Sequence, residues 1–222
     1  MSREAGLSRA HLRAVAGSAA LLFGIWAGMA HADNCARELT LSAARDGLVD
    51  LRVSAPCEPF ARVDIAYGPF IVTEETSGTG TVDLRLPRIA VLPSAAAQIS
   101  GTVLFASLPE TGERAADYIA LVWPGTVELS LSLPEGVGSQ PLSLGFPLGA
   151  EARRAEVVIL RLDDEAPAFV DIAVSSAVCS EAPINAALLI SDRDARLPVV
   201  LPLQSCEGSD GFVRLTLPPP PA

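Results

Sequence analysis

The chain has 222 residues, a net charge of −10, half of its residues hydrophobic and only two histidines. All 16 basic residues are arginine, and an acidic chain without a basic patch argues against binding to nucleic acid or anionic lipid. Both histidines, His11 and His31, precede residue 33. The rest of the chain therefore offers neither His nor Lys as the base of a Ser-His-Asp triad or a Ser–Lys dyad.

The N-terminus has the three-part pattern of a secretory signal peptide. Arg3, Arg9 and Arg13 precede the uncharged apolar stretch AVAGSAALLFGIWAGMA, and an A-x-A sequence follows at residues 30–32. We predict a signal peptide over residues 1–32, cleaved after Ala32 by a Sec-type route, and a mature chain that is periplasmic or extracellular. The apolar stretch is short for a membrane span, so we expect no membrane span in the mature form.

The four cysteines all follow the predicted cleavage site. An even number of cysteines in an exported chain predicts disulfides. Of the three possible pairings, sequence proximity favours Cys35–Cys57 and Cys179–Cys206. A structural zinc site is the alternative, but the sequence has no C-x-x-C knuckle. We expect no haem, copper or catalytic zinc, because these sites usually draw on His or Met and the mature chain has neither.

Alternating apolar and polar residues recur along the mature chain. The clearest segments are VDLRV (49–53), RVDIAY (62–67), TVDLRLP (81–87), TVELSLSL (126–133) and FVRLTL (212–217). A period of two with one apolar face predicts half-buried strands, and Gly- and Pro-containing turns separate them. The Ala-rich PSAAAQ (93–98) predicts a single helical turn. We therefore predict an all-β fold built as an antiparallel β-sandwich.

An internal similarity suggests two small immunoglobulin-like or prealbumin-like units. VDLRVSAPC (49–57) is similar to VDIAVSSAVC (170–179), and each is a predicted strand followed by a cysteine. Chance similarity between strands of like composition is the alternative. We predict a first unit with the middle strands at 33–149, a second unit at 150–217, and a disordered Pro-rich tail at 218–222.

The order of these motifs resembles an exported, β-rich alphaproteobacterial family sometimes labelled "translocase". The matching segments are RVSAPCEPFARVDIAYGPFIVTEETSGTGTVDLRLP, DYIALVWPG, VDIAVSSAVC and CEGSDGFVRLTLP. The resemblance implies export and a β-rich fold but no catalytic residues. Family members tend to have a histidine-bearing stretch after W-x-G, whereas this chain has TVELSLSLPEGVG there.

Paired carboxylates are the catalytic chemistry that the residue inventory leaves open. The candidate acids are Glu74, Glu75, Asp163, Asp164, Glu165, Asp192 and Asp194. Glycoside hydrolysis needs two carboxyls across a sugar cleft, but the chain is only 5% aromatic and such clefts usually contain stacking rings. Solvated loop acids are the simpler interpretation. Calcium binding by SDRDAR (191–196) is a further alternative, opposed by the arginines in that segment.

Two aromatic and two basic residues are candidates for ligand contact. In DYIALVWPG, alternation places Tyr118 and Trp123 on opposite faces of one strand. We interpret Trp123 as a core residue first and a ligand platform second. Arg153 and Arg154 are a candidate anion contact, but we favour a pair of loop residues on the surface.

These observations favour an exported, non-catalytic β-sandwich protein that binds an envelope or periplasmic protein. Exposed edge strands would be its docking sites. The alternatives are a carboxylate-dependent enzyme acting on a glycan and a small-ligand or calcium-binding module. We assign no catalytic residue, metal ligand or cofactor.

Overall fold

The computed structural model describes residues 35–89, 94–108, 115–161, 167–174, 183–191, 195–201 and 211–217. Their strands are β1 Glu38–Ala43, β2 Leu48–Ser54, β3 Arg62–Tyr67, β4 Phe70–Glu75, β5 Thr81–Pro87, β6 Ser94–Ile99, β7 Thr102–Ser107, β8 Tyr118–Pro124, β9 Leu129–Ser132, β10 Leu142–Leu144, β11 Arg153–Ile159, β12 Phe169–Val174, β13 Ile184–Ile190, β14 Ala195–Leu201 and β15 Gly211–Thr216. The fold is all-β, as predicted.

The strands form four antiparallel sheets. Their orders are β1-β2-β5, β4-β3-β6-β7, β10-β11-β8-β13-β14 and β15-β12-β9. Asp-Gly and Ser-Gly dipeptides make the turns of the β1–β2 and β6–β7 hairpins. In each dipeptide both residues have positive φ, from 45° to 78°, which is the conformation that a tight two-residue hairpin turn requires.

The alternating segments bury the residues that their patterns predict. In β2, Val49, Leu51 and Val53 are at most 1% exposed. Because side chains alternate across a strand, the polar residues between them remain at the surface. One prediction is wrong: residues 94–98 lie in strand β6 and not in a helical turn. There Ala95, Ala97 and Ile99 are buried, and packing overrides the helical preference of alanine.

The five-stranded sheet lies between two hydrophobic clusters, and we call it the central sheet. On one face, Tyr118 and Ala120 of β8 join a cluster formed with the first two sheets. On the other face, Ile119, Leu121 and Trp123 join a cluster formed with β9, β12 and β15. Strand β8 is therefore buried on both faces, as its nearly continuous apolar sequence YIALVWP suggests.

The described residues, which lie between positions 35 and 217, belong to one compact unit. The predicted boundary between residues 149 and 150 falls in the connection between β10 and β11, which are paired neighbours in the central sheet. The middle strand β8 supplies side chains to both clusters. The predicted tail at 218–222 and the predicted signal peptide lie outside the described residues.

The predicted disulfide between Cys35 and Cys57 is confirmed, with the two Cα atoms 5.1 Å apart. Cys179 and Cys206 lie outside the described residues. In the part of the chain that the structure describes, no helix is long and apolar enough to cross a membrane.

Candidate binding surfaces

Strand β7 lies at the end of the four-stranded sheet and, among the described strands, is hydrogen-bonded only to β6. Strand β1 of the neighbouring sheet also lies close to β7. The two-residue turn at Ser100 and Gly101 makes Ile99 and Thr102 the first pair of the hairpin. Hydrogen bonds to the neighbouring strand alternate along an antiparallel pair. The backbone N–H and C=O groups of Val103, Phe105 and Ser107 therefore point away from β6.

The side chains of Val103 and Phe105 are exposed apolar groups, and that of Ser107 is exposed and polar. Phe105 is 78% exposed and Val103 is 48% exposed, and the strand sequence TVLFAS carries no charge and no proline. Edge strands usually carry a charged residue or a proline, which hinders pairing with another chain. The other described edge strands longer than four residues contain a charged residue or a proline. In residue type, strand β7 thus has an unprotected edge, because it carries neither a charged residue nor a proline.

A polar cluster beside the disulfide anchors the beginning of β7. Arg37 donates through Nη1 to Thr102 Oγ1 at 2.8 Å, and its Nε pairs with the carboxylate of Glu58. Glu58 also accepts from Ser100 Oγ, and these hydrogen bonds hold the pKa of Glu58 below its ordinary value. Because Glu58 follows Cys57, the disulfide and the β6–β7 turn are tied together. The edge strand is therefore held in a fixed position.

A second surface is a groove on the face of the central sheet that also carries Ala120. It encloses about 310 Å³. Residues opposite each other in a sheet share a face, and the register pairs Val122 with Ala187 and Pro124 with Arg153. By the same alternation Arg196 of β14 belongs to this face. We call this site the arginine groove, after its lining residues Arg153, Arg154 and Arg196.

Thr73 of β4 fixes the position of Arg153 at the groove. Thr73 is fully buried; its Oγ1 accepts from the backbone N–H of Arg153 at 3.1 Å and donates to Asp64 Oδ1 at 2.7 Å. Nearby, the backbone N–H of Phe146 donates to the carbonyl oxygen of Thr73 at 2.6 Å. These contacts attach the β10–β11 connection and the start of β11 to β4. They place Ile71, 47% exposed, at the edge of the groove.

The two aromatic candidates both belong to strand β8, but their side chains point to opposite faces of the central sheet. Tyr118 packs against Phe70 with ring centroids 5.3 Å apart and does not line the groove. Trp123 is 4% exposed, and its Nε1 donates to the carbonyl oxygen of Val127 at 2.8 Å. Both rings are core residues, and Trp123 also borders the groove.

Arg153 and Arg154 begin strand β11 and do not lie in a surface loop as predicted, and the two side chains have different roles. The guanidinium of Arg154 lies 5.4 Å from the centroid of the Trp123 ring, donates through Nη1 to Val127 O at 2.9 Å, and pairs with Glu128 at 3.5 Å. Its buried Nε has no hydrogen-bond partner among the described residues. The side chain of Arg153 is exposed at the groove.

The structure describes two of the candidate acids, Glu74 and Glu75, and both lie in strand β4 and not in a solvated loop as predicted. Glu74 is half-buried on β4; burial raises its pKa, opposed by a 2.6 Å hydrogen bond from the N–H of Gly145 and by the charge of Arg154. It does not line the groove, and neither does Glu75. The remaining candidate acids lie outside the described residues: Asp163, Asp164, Glu165, Asp192 and Asp194. The acid in the groove lining is Glu151, so this groove gives no support to a two-carboxyl mechanism.

Sequence reasoning missed one buried acid, Glu156 of β11. It is 6% exposed and its Oε2 accepts from the backbone N–H of Leu131 at 2.7 Å, which links the central sheet to β9. Burial raises the pKa of Glu156, and the hydrogen bond from Leu131 and the charge of Arg154 oppose that rise. The signal in the sequence was a lone Glu followed by the apolar residues VVI.

Within the described ranges, no group of three or more His, Cys, Asp or Glu residues could hold a metal ion. The chain matches no protein-family model and no curated protein sequence. The case for function therefore comes from the two surfaces, strand β7 and the arginine groove.

Proposed function

We propose that this chain is an exported, non-catalytic β-sandwich protein that binds another protein of the cell envelope by strand addition to β7. The observation that carries the proposal is the unprotected edge of β7, where outward backbone groups coincide with the exposed side chains of Val103 and Phe105. Main-chain hydrogen bonds supply affinity in strand addition, and alternate side chains supply specificity. The partner segment is thus an extended polypeptide with apolar side chains at alternate positions.

The energy terms for adding a short extended segment can offset the cost of association. Each added backbone hydrogen bond contributes about 0.5–1.5 kcal/mol net, and covering the exposed ring of Phe105 contributes about 2 kcal/mol. Association itself costs at least about 4 kcal/mol. The anchoring of β7 through Arg37 and Glu58 lowers the ordering cost on this side of the complex.

Localisation outside the cytoplasm is part of the proposal. It is supported by the signal-like sequence over residues 1–32 and by the Cys35–Cys57 disulfide, since disulfides persist in oxidising compartments. The resemblance to the exported family labelled "translocase" agrees with this location and adds no activity.

Proline and alanine at position 105 separate the backbone contribution from the side-chain contribution. Phe105→Pro removes an outward N–H and the ring but spares the hydrogen bonds to β6, because proline is tolerated where the N–H faces away from the sheet. Phe105→Ala removes the ring and keeps the N–H. Arg45→Ala, at an exposed residue in the β1–β2 turn, is the matched surface control.

The test is crosslinking capture of each tagged variant from its native envelope, followed by mass spectrometry. We expect one dominant partner with the parent chain and with Arg45→Ala, less of it with Phe105→Ala, and least with Phe105→Pro. Equal recovery by all four proteins would contradict strand addition at β7. A concentration-dependent dimer that Phe105→Pro abolishes would instead assign the edge to a second copy of the chain.

A further inference from the structure

The arginine groove combines positive charge with a short apolar surface. Arg153 and Arg196 are exposed at the groove, and neither forms an ion pair with a described residue. Arg154 also lines the groove, but its guanidinium is taken up by Trp123, Val127 and Glu128. The positive charge available to a ligand therefore comes from Arg153 and Arg196, and Glu151 is the acid in the lining. The whole chain has a net charge of −10, so the sign of the charge at this groove is opposite to that of the chain. Guanidinium groups match carboxylates in geometry as well as in charge.

The apolar part of the groove is small. Ile71 of β4 and Val122 and Pro124 of β8 supply it, while Asn185 of β13 adds an amide that can both donate and accept hydrogen bonds. The volume of about 310 Å³ is at the lower end for small-ligand sites. A long alkyl chain would extend beyond such a surface, whereas one apolar side chain next to a peptide bond fits its size and its polarity.

We propose that the arginine groove binds the free C-terminal carboxylate of a peptide whose last residue is apolar. The carboxylate pairs with Arg153 and Arg196, the last side chain contacts Ile71 and Val122, and Asn185 meets the preceding peptide bond. The register of β11, β8, β13 and β14 brings Arg153, Val122, Asn185 and Arg196 to one face of the central sheet. Ile71 of β4 lines the same groove.

This site is separate from strand β7, since β4 and β7 are opposite edges of the four-stranded sheet. A failure to find a partner bound at β7 would say nothing against peptide binding in the arginine groove. A groove that binds no peptide would likewise say nothing against strand addition at β7. The two proposals therefore fail independently.

The test is a nuclear magnetic resonance titration of the full chain, read at the arginine Nε–H and tryptophan Nε1–H resonances. The probes are acetyl-Ala-Ala-Leu with a free carboxylate, the same peptide amidated, and octanoate. Hydrogen bonds to a charged group are worth about tenfold to hundredfold in affinity, so we expect the free acid to bind that much more tightly than the amide. Arg153→Gln and Arg196→Gln should each remove this preference, and Arg45→Gln should keep it.

Both groove substitutions change exposed side chains, so each variant is first checked for an unchanged melting temperature. If one of them fails that check, the other still tests the proposal. Equal binding of acid and amide, or an effect of Arg45→Gln as large as that of Arg153→Gln, would overturn it. Tighter binding of octanoate than of the peptide would overturn the assignment to a peptide.

Discussion

The buried hydroxyl group of Thr73 connects strand β4 to strand β11, and replacing this one group tests the connection. Valine has nearly the same shape as threonine but can neither accept from the N–H of Arg153 nor donate to Asp64. Leaving a buried donor unpaired costs about 1–3 kcal/mol. We expect Thr73→Val to lower the free energy of unfolding by about 2 kcal/mol, which for a unit of this size lowers the melting temperature by about 6 °C.

The assay is urea unfolding of residues 33–222, followed by far-ultraviolet circular dichroism. The m-value should stay constant, because the same surface is exposed on unfolding. Thr73→Ser is the matched control: it keeps the hydroxyl and loses one methyl group, at a cost of about 0.8 kcal/mol. If the valine variant were no less stable than the serine variant, the hydroxyl would not connect β4 to β11 as argued.

Three further predictions use the same unfolding measurement. Replacing Cys35 and Cys57 by alanine should cost about 3 kcal/mol through loss of loop closure; a cost near zero would show that the bond does not constrain the unfolded chain. Because the folded-state pKa of Glu156 is raised, its ionisation lowers stability as pH rises from the unfolded pKa to the folded pKa. Glu156→Gln, which keeps the acceptor for Leu131, should therefore be more stable than the parent at pH 7, with a difference that shrinks toward pH 4; a difference independent of pH would contradict this. Gly80→Ala should cost more than about 2 kcal/mol, because Gly80 has φ of +72° and a Cβ there would overlap the carbonyl of Ala55; a smaller loss would show that this turn relaxes.

The strands were predictable because their signal is local. Alternation such as that of Val49, Leu51 and Val53 needs only neighbouring residues to be read, and the structure buries all three. The failed helical turn at 93–98 shows the limit of this approach. Alanine favours helix on its own, and only the position of β6 between β3 and β7 makes Ala95 and Ala97 core residues of a sheet.

The candidate surfaces depend on sheet order and register, which a single sequence does not contain. Arg153 was a candidate anion contact. Arg196 joins it only through the pairings of β8 with β11 and with β13, which are distant in sequence, and Ile71 joins it through the contact of β4 with β11. Similarly, the sequence TVLFAS (102–107) alone indicates only a short strand. It becomes a candidate docking edge once β7 is placed at the end of its sheet.

The central claim is that a partner pairs with the edge of β7, and site-specific photocrosslinking tests it most directly. A photoreactive amino acid replaces Val103 in the full chain expressed in its native envelope, with position 45 as the control. We predict one discrete adduct from position 103 that is absent from position 45 and is lost when Phe105→Pro is added. The same adducts from both positions, or none from position 103, would contradict the account.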